Sequence, residues 1–218
     1  MYGLNDIDAA LFRAIEENDL KGVQAALDAG ANVNVRGPND TTPIHYAVVH
    51  AKEAVTALLL EHNARPNVFD VNHLSPLHNA VALKNFSMVK LLEEAGADIN
   101  LQQKMDAPTP LHLALAWDRA QGGMERVHFL LERGADPNVR MFALFDNWTP
   151  QEFLEDKKDK TEEEKELIEL FREFANRKMA PNAPADKKPP EDPSSGESES
   201  LKRIREAQKR AKGKYRLS

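Results

Sequence analysis

Cysteine is absent from all 218 residues, which excludes disulfides, a thiol nucleophile and thiolate zinc sites together. No apolar run approaches the ~20 residues that cross a bilayer, and the opening MYGLNDIDAALFRAIEEN carries acids where an export signal would have a basic and then an apolar region. The chain is therefore expected to be soluble and intracellular, cytoplasmic or nuclear. Glycine is scarce, with 10 residues. The pair Gly122-Gly123 has no lysine after it, so no phosphate-cradling loop is formed. What remains is ordinary globular material: 41% hydrophobic residues suffice for the core of one or two domains.

Charge is unevenly placed. Leu201 to Ser218 holds eight Lys or Arg against one Glu, so the net −6 of the chain divides into +7 at this tip and −13 before it. Between body and tip, residues 181–200 have almost no large apolar side chains and cannot offset the entropy of ordering, so they are expected to be a disordered linker. The tip, 201–218, has helix formers from Leu201 to Lys212 and a thin apolar edge of Leu201, Ile204, Ala211 and Tyr215. Its bases include Lys202, Arg203, Arg205, Lys209, Arg210, Lys212 and Lys214. Such a segment suits an acidic partner, nucleic acid, an import signal or an export signal, or is a solvated tail.

The body repeats itself. TTPIHYA around His45, LSPLHNA around His78 and PTPLHLA around His112 are one phrase, with prolines at 43, 76 and 110 spaced by 33 and 34 residues. WTPQEFL from Trp148 is a fourth copy without the histidine. A second phrase keeps step, ending at Asn34, Asn67, Asn100 and Asn138. Each proline suits a first helical turn, where its missing N–H costs nothing, and the Thr or Ser before it suits the cap. The following apolar runs, such as VTALLL and RVHFLL, are too short to be helical alone and must be buried between neighbours. Gly30, Gly96 and Gly134 supply the left-handed residue at the helix end, and Asn63 does so in the second repeat.

Thr-Pro-Leu-His-x-Ala at this period resembles the signature of the ankyrin repeat family over roughly residues 4–178. The resemblance implies an all-α solenoid of about five helix-turn-helix units with hairpin-loop fingers. Their approximate bounds are 4–36, 37–69, 70–103, 104–143 and 144–178, together an ankyrin repeat domain over 1–180. It also implies that His45, His78 and His112 organise their turns by hydrogen bonding. Equivalent residues of stacked repeats sit ~8–10 Å apart, whereas imidazoles sharing zinc must each come within ~2.1 Å of it. These histidines therefore share no metal, and neither nucleophile and base nor cofactor site is legible beside them.

Function is expected where the copies differ. Pro110 to Gly134 spans 24 residues against 20 in the two preceding repeats, an insertion in AWDRAQGGME expected to lengthen the turn between the helices. Trp117 there either packs on the next repeat or anchors a partner. None of the fingers has glycine two residues before its Thr or Ser. The last finger carries Phe142, Phe145 and Trp148, which are either interface anchors or a cover for the final helices. Arg36, Phe69, Gln103 and Arg140 complete a candidate protein-binding surface. At the end, Thr161 and Glu164 form a capping box for a helix with Leu167, Ile168, Leu170, Phe171 and Phe174 on one face. Asn100, after Leu92, Asp98 and Ile99, matches the family's pattern for asparagine hydroxylation by another enzyme.

The resemblance thus implies a non-enzymatic, monomeric adaptor or scaffold. It would bind a protein partner on its fingers and concave face, with the basic tail as a second contact. Two alternatives stand beside it: an ankyrin-type effector secreted by an intracellular bacterium into a host cell, and a nucleic-acid-associated factor working through the tail.

Overall fold

A computed structural model describes residues 4–102, 107–121, 124–143, 146–156 and 158–179. They fall into two compact units divided between Asp98 and Ile99.

The first unit contains three helix pairs. They are α1 (Asp6–Glu16) with α2 (Leu20–Asp28), α3 (Pro43–Val49) with α4 (Glu53–Glu61), and α5 (Pro76–Ala82) with α6 (Phe86–Glu94). Each first helix packs on its own second helix, α3 packs on both α1 and α5, and α2 touches α4. Leu11, Ile15, Ile44, Val48 and Leu77 from the first helices are fully buried, as are Val23, Val55, Leu59, Val89 and Leu92 from the second helices. Helices of seven to nine residues are marginal in water, so this shared core is what holds them.

The ends follow local chemistry. Pro43 and Pro76 begin their helices; Gly30, Gly96 and, in the second unit, Gly134 close theirs at φ of 94°, 92° and 87°, and Asn63 does the same at 67°. The turns inside each pair are less orthodox. Asn18, Ala51 and Lys84 take left-handed φ of 56°, 53° and 53°, a conformation that costs L-residues roughly 1–2 kcal/mol. Scarcity of glycine is thus felt in every helix–helix turn of this unit.

The second unit contains α7 (Pro110–Gln121), α8 (Glu125–Glu132), the antiparallel strands β1 (Met141–Ala143) and β2 (Asp146–Trp148), α9 (Pro150–Glu155) and α10 (Glu162–Met179). The strands pair Met141 with Trp148 and Ala143 with Asp146, giving the last finger a ladder. The helix α9 packs on α7, α10 and β2. The insertion is accommodated differently from the expectation of a longer turn: α7 has 12 residues against seven in α3 and α5. Ala116, Arg119, Ala120 and Gln121 are good helix formers, so the added length extends the helix.

The α10 cap is built as its sequence demands. Thr161 N–H donates to Glu164 Oε2 at 2.8 Å and Glu164 N–H donates to Thr161 Oγ1 at 3.2 Å. Leu167, Ile168 and Phe171 are buried, Leu170 is half-buried, and the Phe174 side chain lies outside the described residues.

Candidate interaction surface

Each repeat phrase folds into the same small device. Thr42, Ser75 and Thr109 donate their backbone N–H to Nδ1 of His45, His78 and His112, each at 3.2 Å. The cap hydroxyls lie 2.7–2.9 Å from the same nitrogens. Because Nδ1 accepts, the proton of neutral His45 sits on Nε2, which donates to the Leu74 carbonyl of the next finger at 3.2 Å. Burial pushes the His45 imidazole below its ordinary range, against the opposing pull of that Leu74 carbonyl. His45 is thus a neutral bracket between repeats.

In the fourth copy Glu152 takes the histidine's place. Its Oε2 accepts the Thr149 N–H at 2.8 Å, and its own N–H donates to Thr149 Oγ1 at 3.1 Å. The bond from the Thr149 N–H, assisted by Arg140, holds the Glu152 carboxyl below the usual range. The substitution was readable as a Thr-x-x-Glu capping box, a signal hidden by looking for histidine.

The fingers turn without glycine at their tips. Asp40 and His73 occupy the place two residues before Thr42 and Ser75, with left-handed φ of 59° and 62°. The second finger compensates through Asp70, whose carboxylate accepts the N–H groups of Asn72 and Leu74 at 2.8 and 3.0 Å. The first finger uses Gly37 for space: a Cβ there would lie 2.9 Å from the Phe12 ring. The two fingers are also stitched together, Val71 N–H donating to the Asn39 carbonyl at 3.1 Å.

The surface residues expected from sequence sit in distinct settings. Arg36 is exposed, but its guanidinium donates to the Phe69 carbonyl at 2.7 Å and pairs with Asp40 at 2.8 Å, so it braces fingers. Phe69 is half-buried, its ring 6.4 Å from that of His78. Arg140 pairs with Glu152 at 3.0 Å and Gln102, the neighbour of Gln103, donates to the Arg140 carbonyl at 2.9 Å. Trp117 is half-buried. Gln103, Phe145, the side chains of Phe142 and Trp148, and the segments 181–200 and 201–218 lie outside the described residues.

Asn100 uses both ends of its amide: Oδ1 accepts the Asp136 N–H at 2.7 Å and Nδ2 donates to the Gly134 carbonyl at 3.3 Å. Asn34 and Asn67 make the same pair of bonds to Arg65 N and Asn63 O, and to Asp98 N and Gly96 O.

Some exposed apolar residues escaped sequence reasoning. Val49, Val71 and Leu83 are 48%, 53% and 50% exposed on the first-helix and finger side of the first unit. On α3, Tyr46 meets His50 in a tilted pair at 4.5 Å and the edge of Phe12 at 5.9 Å. A usable signal existed. His50, Leu83 and Trp117 all stand eight residues after the capping Thr42, Ser75 and Thr109, so aligning the phrases singles out one recurrent place on the first helices.

The insertion carries a second unforeseen feature. Asp118 and Arg126 form an ion pair at 2.8 Å with side chains only 1% and 3% exposed. The other Asp118 oxygen accepts the N–H groups of Arg126 and Val127 at 2.9 and 3.3 Å, doing the work of a cap for α8. Among the described residues, no group of three or more His, Asp or Glu side chains is arranged to hold a metal, and no helix is long and apolar enough to cross a membrane.

Two family models match this chain: ankyrin repeats in three copies over residues 11–103, and a single ankyrin repeat over residues 109–141. Together they cover more than half of its length. Among known proteins it is similar to the nuclear factor NF-kappa-B p105 subunit of Gallus gallus, 32% identical over 115 residues, or 51% of this chain and 12% of that protein. It is also similar to the ankyrin repeat protein nuc-2 of Neurospora crassa, 32% identical over 130 residues, 59% of this chain and 12% of the relative. A third relative, serine/threonine-protein kinase 12 of Arabidopsis thaliana, is 32% identical over 81 residues, 37% of this chain and 18% of the kinase. The chain therefore spans between 12% and 18% of the length of these relatives.

Proposed function

The chain belongs to the ankyrin repeat family, whose repeats are generally protein–protein interaction modules, and from that premise we propose that it is a non-enzymatic adaptor. The partner is a protein held on the fingers and first helices, with the basic segment 201–218 as a second contact. The observation that carries this reading is the exposure of Val49, Val71 and Leu83 on the first helices and finger, with the tilted Tyr46–His50 ring pair beginning one turn before Val49 on α3. Apolar and aromatic side chains displayed together mark interaction sites. A tail on a short tether adds to such a site through effective concentration rather than through new contacts on the repeats. On this reading the protein works as a monomer in the cytoplasm or nucleus.

The test compares what three chains capture from nuclease-treated lysate, read by mass spectrometry: the full chain, one ending at Lys178, and a V49E/L83E variant. The adaptor reading expects one protein set in the first two and its loss in the third. Loss on truncation alone would make the tail the recognition element. Captured RNA or DNA in untreated lysate that disappears with 201–218 and falls steeply with salt would favour the nucleic-acid-associated reading.

A further inference from the structure

Between the second helices of the first two repeats, α2 and α4 leave an open groove of about 560 Å3 lined by no finger residue. It exists because α4 presents only the small side chains of exposed Ala54 and buried Ala57 along its lining, leaving Leu20 of α2 42% exposed and Leu58 half-buried along the floor. One end of the groove is acidic. Asp28 and Glu61 are the last residues of α2 and α4, hold the same place in successive repeats, and have no basic residue in the last turn of either helix. Carboxylates at that position add to the negative pole of the helix dipole instead of opposing it. Among the described residues neither forms an ion pair, Asp28 accepting only an amide bond from Gln24 at 2.8 Å. Lys21 lines the other end. The whole of residues 4–98 carries thirteen acidic against seven basic side chains.

We propose that the occupant of this groove is the chain's own basic segment, residues 201–218. Its apolar edge, Leu201, Ile204, Ala211 and Tyr215, follows the three-and-four spacing of one helical face and matches the Leu20–Leu58 floor. Arg210 and Lys214, each next in sequence to a residue of that edge, complement Asp28 and Glu61 in charge. This is recognition of an amphipathic segment by an apolar groove, reinforced by charge. Tethering through residues 181–200 presents the segment at an effective concentration on the order of mM, so an interaction far too weak to form between separate molecules is populated within one. The contact is independent of the partner face proposed above, because it uses second helices only. Where both operate, an acidic partner for the tail must compete with the groove.

Absence of cysteine makes the test clean, since S218C carries one spin label on the full chain. Expected is a loss of amide signal at Lys21–Asp28 and Ala54–Glu61, smaller in D28K/E61K and in 1 M salt, where the screening length is about 3 Å. The loss is expected to persist in V49E/L83E. A K209Q/R210Q/K214Q variant leaves the groove untouched and is expected to weaken the effect in step. Broadening elsewhere, none at all, or broadening undiminished by either set of charge changes overturns the proposal. So does equal broadening of an unlabelled chain mixed with a labelled one, which would make the occupant a second copy.

Discussion

Replacing Asp118 by Ala strikes the buried pair and the α8 cap together. Removing one member of a buried ion pair costs about 3–5 kcal/mol, since the remaining charge keeps its desolvation without its counter-charge. The lost bonds to Arg126 N and Val127 N add a capping contribution of about 1 kcal/mol. The expected cost, about 4–6 kcal/mol, is comparable with the whole stability of a small unit. Both tryptophans, Trp117 and Trp148, lie in the second unit, so urea unfolding followed by fluorescence reports that unit while far-ultraviolet circular dichroism reports both. D118A should unfold the fluorescence signal at much lower urea and leave the first unit's dichroism transition in place. R126M should also destabilise, and D118A/R126M should recover part of the combined loss, because it buries no lone charge. Single costs that sum to the double within about 0.5 kcal/mol would show no coupling and refute the reasoning, as would a D118A cost below about 1 kcal/mol.

Stability should also depend on pH through His45. Its folded pKa is lowered by burial, so below about pH 6.5 the unfolded chain binds more protons; stability is then steady above that pH and lost as pH falls towards the folded value. Urea midpoints between pH 8 and 5 should show this slope, and H45Q should flatten it. At Ala51, φ 53°, A51G relieves a left-handed strain of roughly 1–2 kcal/mol against an unfolded-state entropy of about 0.4–1 kcal/mol, so a rise in midpoint is expected; a fall would show the turn to be unstrained. N67A removes two inter-repeat bonds of 2.9 Å, worth about 1 kcal/mol each, and should lower the first unit's midpoint accordingly.

The helix pairs, their proline starts and their left-handed ends at Gly30, Asn63, Gly96 and Gly134 were legible because each depends on chemistry within a few residues. The histidine brackets were legible for the same reason, repeated three times. Asp118 and Arg126 were not, since a pair eight residues apart has no period and acquires meaning only when α7 extends and α8 folds back. Glycine is missing at the fingers and turns: Asp40, Ala51 and His73 adopt left-handed φ values, held at His73 by the bonds of Asn72 and Leu74 to Asp70. For the candidate surface, residue type named Arg36 and Arg140 as contacts, but the fold gives both guanidiniums internal partners. The exposed Val49 and Leu83 escaped notice because single apolar residues in a helical run read as core.

The Asp118 clamp has a consequence for protein engineering. A buried carboxylate on α7, Asp118, is seated on the amides of Arg126 and Val127 in the first turn of α8. Lengthening the seven residues between Asp118 and Arg126 twofold costs only about 0.6 kcal/mol of closure entropy, provided the clamp is kept. A foreign peptide grafted between Gln121 and Met124 would therefore have both of its ends anchored, making this repeat a natural socket for loop libraries.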